Sequence, residues 1–118
     1  MPYKITNLTR NTLLADRAEL ANTPWKRMKG LLGRRAFEPG QALIIRPCNS
    51  IHTFFMRFPI DVLFLDRQNR VLGLYQGISP FRFSRIFWHA QTAIELPAGT
   101  LSQTNTQPDD IIQLIANQ

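Results

Sequence analysis

The side chains best suited to chemistry lie close together near the middle of the chain. Cys48, His52, Met56 and Asp61 all fall between residues 46 and 66. Cys48 is the only Cys of the chain, and His52 is one of its two His. A thiolate, an imidazole and a thioether are the soft ligands that suit copper. A Cys, a His and a carboxylate are also the residue types of a thiol nucleophile, its base and its orienting group. Any activity is expected where these four side chains meet.

Copper is the alternative cofactor that this pattern suggests. The spacing of Cys48, His52 and Met56 is similar to that of blue-copper sites, which use a thiolate, imidazoles and a weak thioether ligand. Such a site needs a second His, and the only other one is His89, far downstream. The leading prediction is therefore that the protein binds no cofactor, with Cys48 as a small buried hydrophobe and Met56 as a core filler.

A thiol site would require Cys48 and His52 to meet. If the segment between them were an extended strand, the two residues would lie about 13 Å apart along it. A turn at Pro47 or Asn49 would have to bring them together. No helix N-terminus clearly adjoins Cys48 to lower the pKa of its thiol. The second alternative is therefore a thiol-based site with three candidate catalytic residues: Cys48, His52 and, as the orienting carboxylate, Asp61.

Two carboxylates occur within apolar strands, and a carboxylate in such a place must be paired or hydrated. For Asp61 an ion pair with Arg46 or Arg57, or hydrogen bonds from nearby backbone donors, is the favoured explanation. Glu95 poses the same question. The functional alternative is a polar cavity in which both carboxylates lie beside His52.

A second candidate surface is the segment 81–89, in which aromatic and basic residues alternate. It contains Phe81, Arg82, Phe83, Arg85, Phe87 and Trp88. Rings between arginines can stack on bases or hold an acidic peptide. The chain carries no recognised nucleic-acid motif, so nucleic acid is the weaker prediction for a partner. An anionic ligand or an acidic protein is the preferred one.

Composition favours a single globular domain over residues 1–118. The chain has 14 Lys and Arg against 8 Asp and Glu, a net charge of +6, and 44% hydrophobic residues. One Cys cannot form an internal disulfide, and no apolar run approaches the roughly 20 residues of a membrane helix. The first residues lack the apolar core of a signal peptide. The expected location is the cytoplasm, or the cell envelope if a leader was removed.

Hydrophobic periodicity and turn residues predict a mainly β fold, a sandwich-like or barrel-like domain of about seven short strands with one short helix. The predicted strands are 3–7, 12–20, 42–45, 60–65, 71–78, 90–96 and 111–115. The helix, at about 24–32, begins with Thr23 as its N-cap, and Gly33 ends it. Its apolar residues, Trp25, Met28, Leu31 and Leu32, are predicted to cover the sheet or one end of a barrel.

The segment 56–66, MRFPIDVLFLD, resembles the bacterial and archaeal family called domain of unknown function 192. Three further blocks, at 25–34, 42–45 and 93–99, agree with that family and occur in its order. The resemblance implies a mainly β, sandwich-like fold with a short helix, and it implies no activity. The chain departs from the family at Pro108-Asp109-Asp110, where Gly-Asp is expected, and at Leu32, where Met is usual.

The sequence thus favours a small non-catalytic binding or accessory module. Its concave, aromatic-lined site is predicted to form from the loops 48–56 and 81–89. Polar side chains would fix the ligand, rings and a thioether would supply apolar contact, and arginines would attract negative charge. The predicted ligand-binding residues are His52, Phe54, Met56, Asp61, Arg82, Arg85 and Trp88.

Overall fold

The structure, a computed structural model, describes residues 2–31, 34–54 and 56–117. It confirms the mainly β fold of seven strands. The strands are β1 Tyr3–Asn7, β2 Thr12–Ala21, β3 Gln41–Ile45, β4 Ile60–Leu65, β5 Val71–Ile78, β6 Thr92–Pro97 and β7 Ile112–Ala116. There are two short helices, α1 Pro24–Lys29 and α2 Thr100–Gln103.

The seven strands form one sheet in the order β5-β4-β6-β3-β2-β1-β7. All neighbouring strands are antiparallel except β2 and β3, which are parallel. The sheet curls into a half-barrel. Its two edges meet beside the β4–β5 turn, where the Ile112 N–H donates to the Asn69 carbonyl at 2.9 Å. The barrel-like form of the prediction is therefore the one that the chain adopts.

Each face of the central strands packs into its own hydrophobic core. Along β4, Val62 and Phe64 pack into one core, and Leu63 and Leu65 pack into the other. Every residue of β4 and β6 is buried. This arrangement explains the nearly continuous apolar run of β4, because a strand covered on both faces has no polar side.

Helix α1 is shorter and more exposed than its apolar pattern predicts. Its cap is as expected, because the Thr23 hydroxyl accepts the Lys26 N–H at 3.2 Å. The helix ends at Lys29, and Gly30 follows with a φ of 48°. Leu31 is buried beyond this end, whereas Trp25 and Met28 are each 70% exposed. The prediction that these two residues cover the sheet is wrong, because the helix ends before its stripe reaches the core. Leu32 and Gly33, predicted to complete the helix, lie outside the described residues.

The turn before β7 shows how the chain accommodates its departure from the family pattern. Asp109 has a φ of 74°, in the left-handed region that glycine favours, and it stands where the family resemblance predicts Gly. Asp110 is buried and accepts hydrogen bonds from the Asn7 amide at 2.9 Å and the Gln107 N–H at 3.0 Å. Burial alone would raise the pKa of Asp110, but these bonds and the Arg10 guanidinium outweigh it and lower the pKa.

Helix α2 lies between the predicted strands 90–96 and 111–115, and its single turn is too short for a periodic pattern to reveal. Across the described part of the chain, neither helix has the length and apolar character that crossing a membrane would require.

Candidate functional site

The two predicted loops pair with each other. The Thr53 N–H donates to the Arg82 carbonyl at 2.9 Å, and the Ser84 N–H donates to the Ile51 carbonyl at 2.9 Å. Between these bonds His52 and Phe83 form an antiparallel bridge. We call this irregular two-stranded segment, residues 49–54 and 81–87, the loop ribbon.

Thr53 and Ser84 hold the loop ribbon from its buried side. The Thr53 hydroxyl donates to the Ser79 carbonyl at 2.6 Å and accepts the Arg82 N–H at 2.9 Å. The Ser84 hydroxyl accepts the Ile51 N–H at 2.9 Å and donates to the Arg85 carbonyl at 2.9 Å. Neither residue was predicted to matter, since a single Thr or Ser in a loop gives no distinguishing sequence pattern.

A cavity of about 410 Å³ lies between α1 and the first strand of the loop ribbon. We call it the α1 cavity. Four of the predicted site residues line it: Cys48, His52, Phe54 and Met56. Its wall also includes Arg27 and Lys29 of α1 and the side chain of Glu95 from β6. Thiol, imidazole, thioether, carboxyl and guanidinium groups therefore share one concavity.

Glu95 is the most unusual group in the α1 cavity. Only 4% of the residue is exposed, and no group in the described part of the chain donates a hydrogen bond to its carboxyl. Burial raises its pKa from 4.5 to about 7, and the positive charge of Arg34 opposes that rise. Near neutral pH the protonated and ionised forms of Glu95 are both populated.

Arg27, which also lines the α1 cavity, has an unsatisfied buried polar atom. One of its terminal nitrogens donates to the Pro47 carbonyl at 3.2 Å. Its Nε is buried and has no hydrogen-bond partner among the described residues. A buried donor without a partner is costly to the fold. The sequence does not reveal this position, because Arg27 lies on a helix whose basic residues look solvated.

The Cys48 thiol is held in its protonated form. It donates to the Ser50 carbonyl at 3.1 Å. Burial raises the pKa of Cys48, and the nearby charge of Glu95 raises it further while that of Arg27 opposes. A nucleophilic thiol needs a lowered pKa, so this environment does not favour the thiol-based alternative, which stays a prediction.

His52 stands at the exposed rim of the α1 cavity. Its Nδ1 accepts the Phe54 N–H at 3.3 Å, which assigns the proton of the neutral ring to Nε2. The imidazole packs against the Phe54 ring, with centroids 5.4 Å apart. His52 is thus an accessible polar group beside an aromatic wall.

Asp61 does not join this group, although the sequence places it with Cys48 and His52. It is fully buried, and its carboxylate accepts three backbone N–H groups, from Gly77 at 2.8 Å, Gly99 at 3.1 Å and Leu101 at 2.9 Å. The register pairs Asp61 with Leu96, and Val62 with Glu95. Asp61 and Glu95 therefore point to opposite faces of the sheet, and the predicted cavity with two carboxylates does not form. Backbone donors, rather than Arg46 or Arg57, balance Asp61.

The other predicted ligand-binding residues lie outside the α1 cavity. Arg82 and Arg85 are exposed on the second strand of the loop ribbon, and the Arg85 guanidinium sits 4.2 Å from the centre of the Phe87 ring. Trp88 is 77% exposed and lines a separate shallow depression with Arg67. The predicted single site is thus divided between a cavity and an outer surface.

The predicted copper ligands share the α1 cavity, but the surrounding donors do not complete a site. Within residues 2–31, 34–54 and 56–117, no three His, Cys, Asp or Glu side chains lie close enough to hold a metal ion. His89 lines the depression with Trp88 and not the α1 cavity. Copper binding by Cys48, His52 and Met56 stays a prediction.

The model of the DUF192 family, described as Uncharacterized ACR, matches residues 5–114. The chain belongs to this family. UPF0127 proteins from two archaea are similar to it. The one from Thermococcus sibiricus is 32% identical over 92% of this chain and 72% of its own length. The one from Thermococcus kodakarensis is 30% identical over 92% of this chain and 71% of its own length.

Two crystal structures share the fold. A protein of unknown function from Novosphingobium aromaticivorans has a TM-score of 0.81 and 19% identity, over 96% of this chain and 84% of its own. A Sinorhizobium meliloti protein described as a candidate transcription regulator has a TM-score of 0.78 and 21% identity, over 95% of this chain and 91% of its own. At this identity the likeness shows the fold alone. The family resemblance predicted from the sequence is confirmed, and the family carries no assigned activity.

Proposed function

We propose that the protein is a small-molecule binding module and that the α1 cavity is its site. The observation that carries this proposal is the Glu95 carboxyl, which is almost fully buried, lacks a hydrogen-bond donor among the described residues and lines the cavity. Keeping such a group lowers the stability of the fold, because its pKa is raised to about 7. A costly polar group in a concavity is a frequent mark of a binding site.

The polar groups of the α1 cavity favour a ligand head that accepts hydrogen bonds. Protonated Glu95 can donate one, and the guanidinium of Arg27, a residue that lines the cavity, carries further donors. Lys29 adds positive charge at the wall. A carboxylate or a carbonyl therefore fits better than an amine, which Arg27 and Lys29 would repel. A bound carboxylate would also keep Glu95 in its protonated form.

The remaining wall suits the apolar body of the same ligand. Ile45, Ile51, Met56 and Phe54 contribute aliphatic, thioether and aromatic surface. A volume of about 410 Å³ lies in the range of small-ligand pockets. The proposed ligand class is therefore a small amphipathic molecule with a carboxylate or carbonyl head and an apolar body.

Matched probes test this proposal in solution. Phenylacetate and hexanoate would be compared with phenethylamine and hexylamine, which carry similar bodies and the opposite charge. Each would be titrated into isotopically labelled protein, and the amide resonances would be followed. We expect the acids to shift amides of residues 24–31, 45–54 and 95 and the amines to leave them unchanged.

A blocking variant locates the site. Ser50 lines the α1 cavity, so Ser50→Trp should fill part of it and weaken acid binding at least about tenfold. Ser102 is exposed on α2 and away from the cavity, so Ser102→Trp is the matched control. Acid binding that survives Ser50→Trp unchanged, or resonance shifts confined to other residues, would overturn the proposal.

A further inference from the structure

The loop ribbon presents four rings on one outward face. Successive residues of a strand point to opposite sides, and residues paired across an antiparallel ribbon point to the same side. The bridge between His52 and Phe83 therefore groups these two rings with those of Phe54 and Phe81. The contacts agree, because ring centroids lie 4.7 Å apart for Phe54 and Phe83 and 6.2 Å apart for Phe54 and Phe81. Thr53, between the first pair, points inward and is buried.

Three residues of this four-ring face, His52, Phe81 and Phe83, are exposed to solvent, and Phe54 is half-buried. Phe81 is 64% exposed and Phe83 is 69% exposed. Ile86, further along the same strand, is 42% exposed. Clustered exposed rings are uncommon on a surface that contacts only water, and they are typical of binding surfaces.

The surroundings of the four-ring face are positively charged. The segment of the chain between Asp66 and Glu95 contains no acidic residue. Arg82 and Arg85 belong to this segment, and both are exposed. The salt bridges among the described residues involve neither of these two arginines. Their charges are therefore available to an anionic partner.

We propose that the four-ring face binds single-stranded nucleic acid. The exposed rings offer flat surfaces on which unpaired bases can stack, and the exposed Arg82 and Arg85 on the same strand of the ribbon can attract the phosphates. An acidic peptide offers the negative charge but few flat faces. An anionic bilayer would have to bury the polar imidazole of His52 with the other rings, which is costly.

Fluorescence anisotropy with a labelled oligothymidylate of about twelve nucleotides tests this inference. Binding is expected at about 50 mM salt and should weaken steeply toward about 200 mM. The double variant Phe81→Ala/Phe83→Ala should weaken it at least about tenfold, since stacking on these rings is lost. Leu13→Ala/Ile115→Ala removes two exposed apolar side chains from β2 and β7 and is the matched control.

A second pair of variants separates the local charge from the net charge. Arg82→Gln should lower the slope of log affinity against log salt by about 0.7, the value for one phosphate contact on a single strand. Lys4→Gln on β1 removes the same net charge and should leave the slope unchanged.

Three results would overturn the inference: no binding at about 50 mM salt, equal affinity of the Phe81→Ala/Phe83→Ala variant, or equal slopes for the two charge variants. Tighter binding to polyglutamate or to phosphatidylserine vesicles than to the oligonucleotide would also overturn it. In that case the face would be assigned to an acidic protein or to a membrane.

Discussion

Glu95 is the residue at which the needs of folding and of binding conflict. Its carboxyl sits in the core-facing side of β6, where Ala93 is also buried, and gains no hydrogen bond from a described residue. An apolar residue or a Gln would fit the same position without a buried charge. The presence of a carboxyl at this buried position is the strongest indication that the α1 cavity binds a ligand.

The raised pKa of Glu95 predicts a pH dependence of stability. Between pH 4.5 and about 7 the unfolded chain releases a proton that the folded chain retains. The free energy of unfolding should therefore fall as pH rises through this window, by up to about 3 kcal/mol. Glu95→Gln should remove that contribution and be the more stable protein above pH 7.

Chemical denaturation of the parent protein and of Glu95→Gln across this pH range gives the difference between their free energies of unfolding. The contributions of the other titrating groups are the same in both proteins and cancel in that difference. Glu38→Gln, at an exposed carboxyl, is the control and should follow the parent protein. A Glu95→Gln variant with the same pH dependence as the parent would show that the carboxyl is not held at a raised pKa.

Asp61 and His52 should respond to substitution in opposite ways. Asp61→Ala leaves three backbone N–H groups without their acceptor, that of Leu101 fully buried, so it should destabilise the fold by at least about 3 kcal/mol. His52→Ala changes an exposed side chain and should cost less than about 1 kcal/mol. Thermal or chemical denaturation distinguishes them, and a mild effect of Asp61→Ala would contradict its structural role.

At the scale of elements, two apolar residues of the α1 region, Leu31 and Met28, differ sharply in burial. Leu31 is 4% exposed just after the helix, whereas Met28 is 70% exposed within it. Leu31→Ala should lower the free energy of unfolding by about 2–5 kcal/mol, and Met28→Ala by less than about 1 kcal/mol. Equal losses in denaturation experiments would mean that the helix packs on the sheet as its apolar stripe predicts.

The strands could be predicted from the sequence because each carries its own local pattern. Alternation defines β1 and β2, and a continuous apolar run defines β4. The pairing of the loop ribbon could not be predicted, since backbone hydrogen bonds between residues 49–54 and 81–87 leave no periodic pattern. The end of α1 at Lys29, with Gly30 as its C-cap, also depends on backbone conformation, whereas the sequence predicts that Gly33 ends the helix.

The candidate site was predicted in part, for a physical reason. Cys48, His52, Phe54 and Met56 lie in one segment, so their shared cavity follows from local chain geometry. The separation of Asp61 from Glu95 depends on the register between β4 and β6, where a shift by one residue would reverse the face of each. Arg27 reaches the cavity only through the position of α1, which a single sequence does not specify.

At the scale of the molecule, the half-barrel organises two separate surfaces around one irregular segment. The first strand of the loop ribbon and α1 enclose the α1 cavity, and the outward side of the ribbon carries the four-ring face. His52 and Phe54 belong to both. The net charge of +6 favours anionic partners at either surface, through attraction during association.

The pH dependence of acid binding in the α1 cavity tests the central claim most directly. With phenylacetate as the probe, affinity should fall above pH 7, approaching tenfold per pH unit, because protonated Glu95 donates to the carboxylate. Glu95→Gln keeps a neutral donor at the same position, so its affinity should be retained and nearly independent of pH. An affinity that rises with pH, or the same pH dependence in both proteins, would contradict the assignment of Glu95 as the group that receives the ligand.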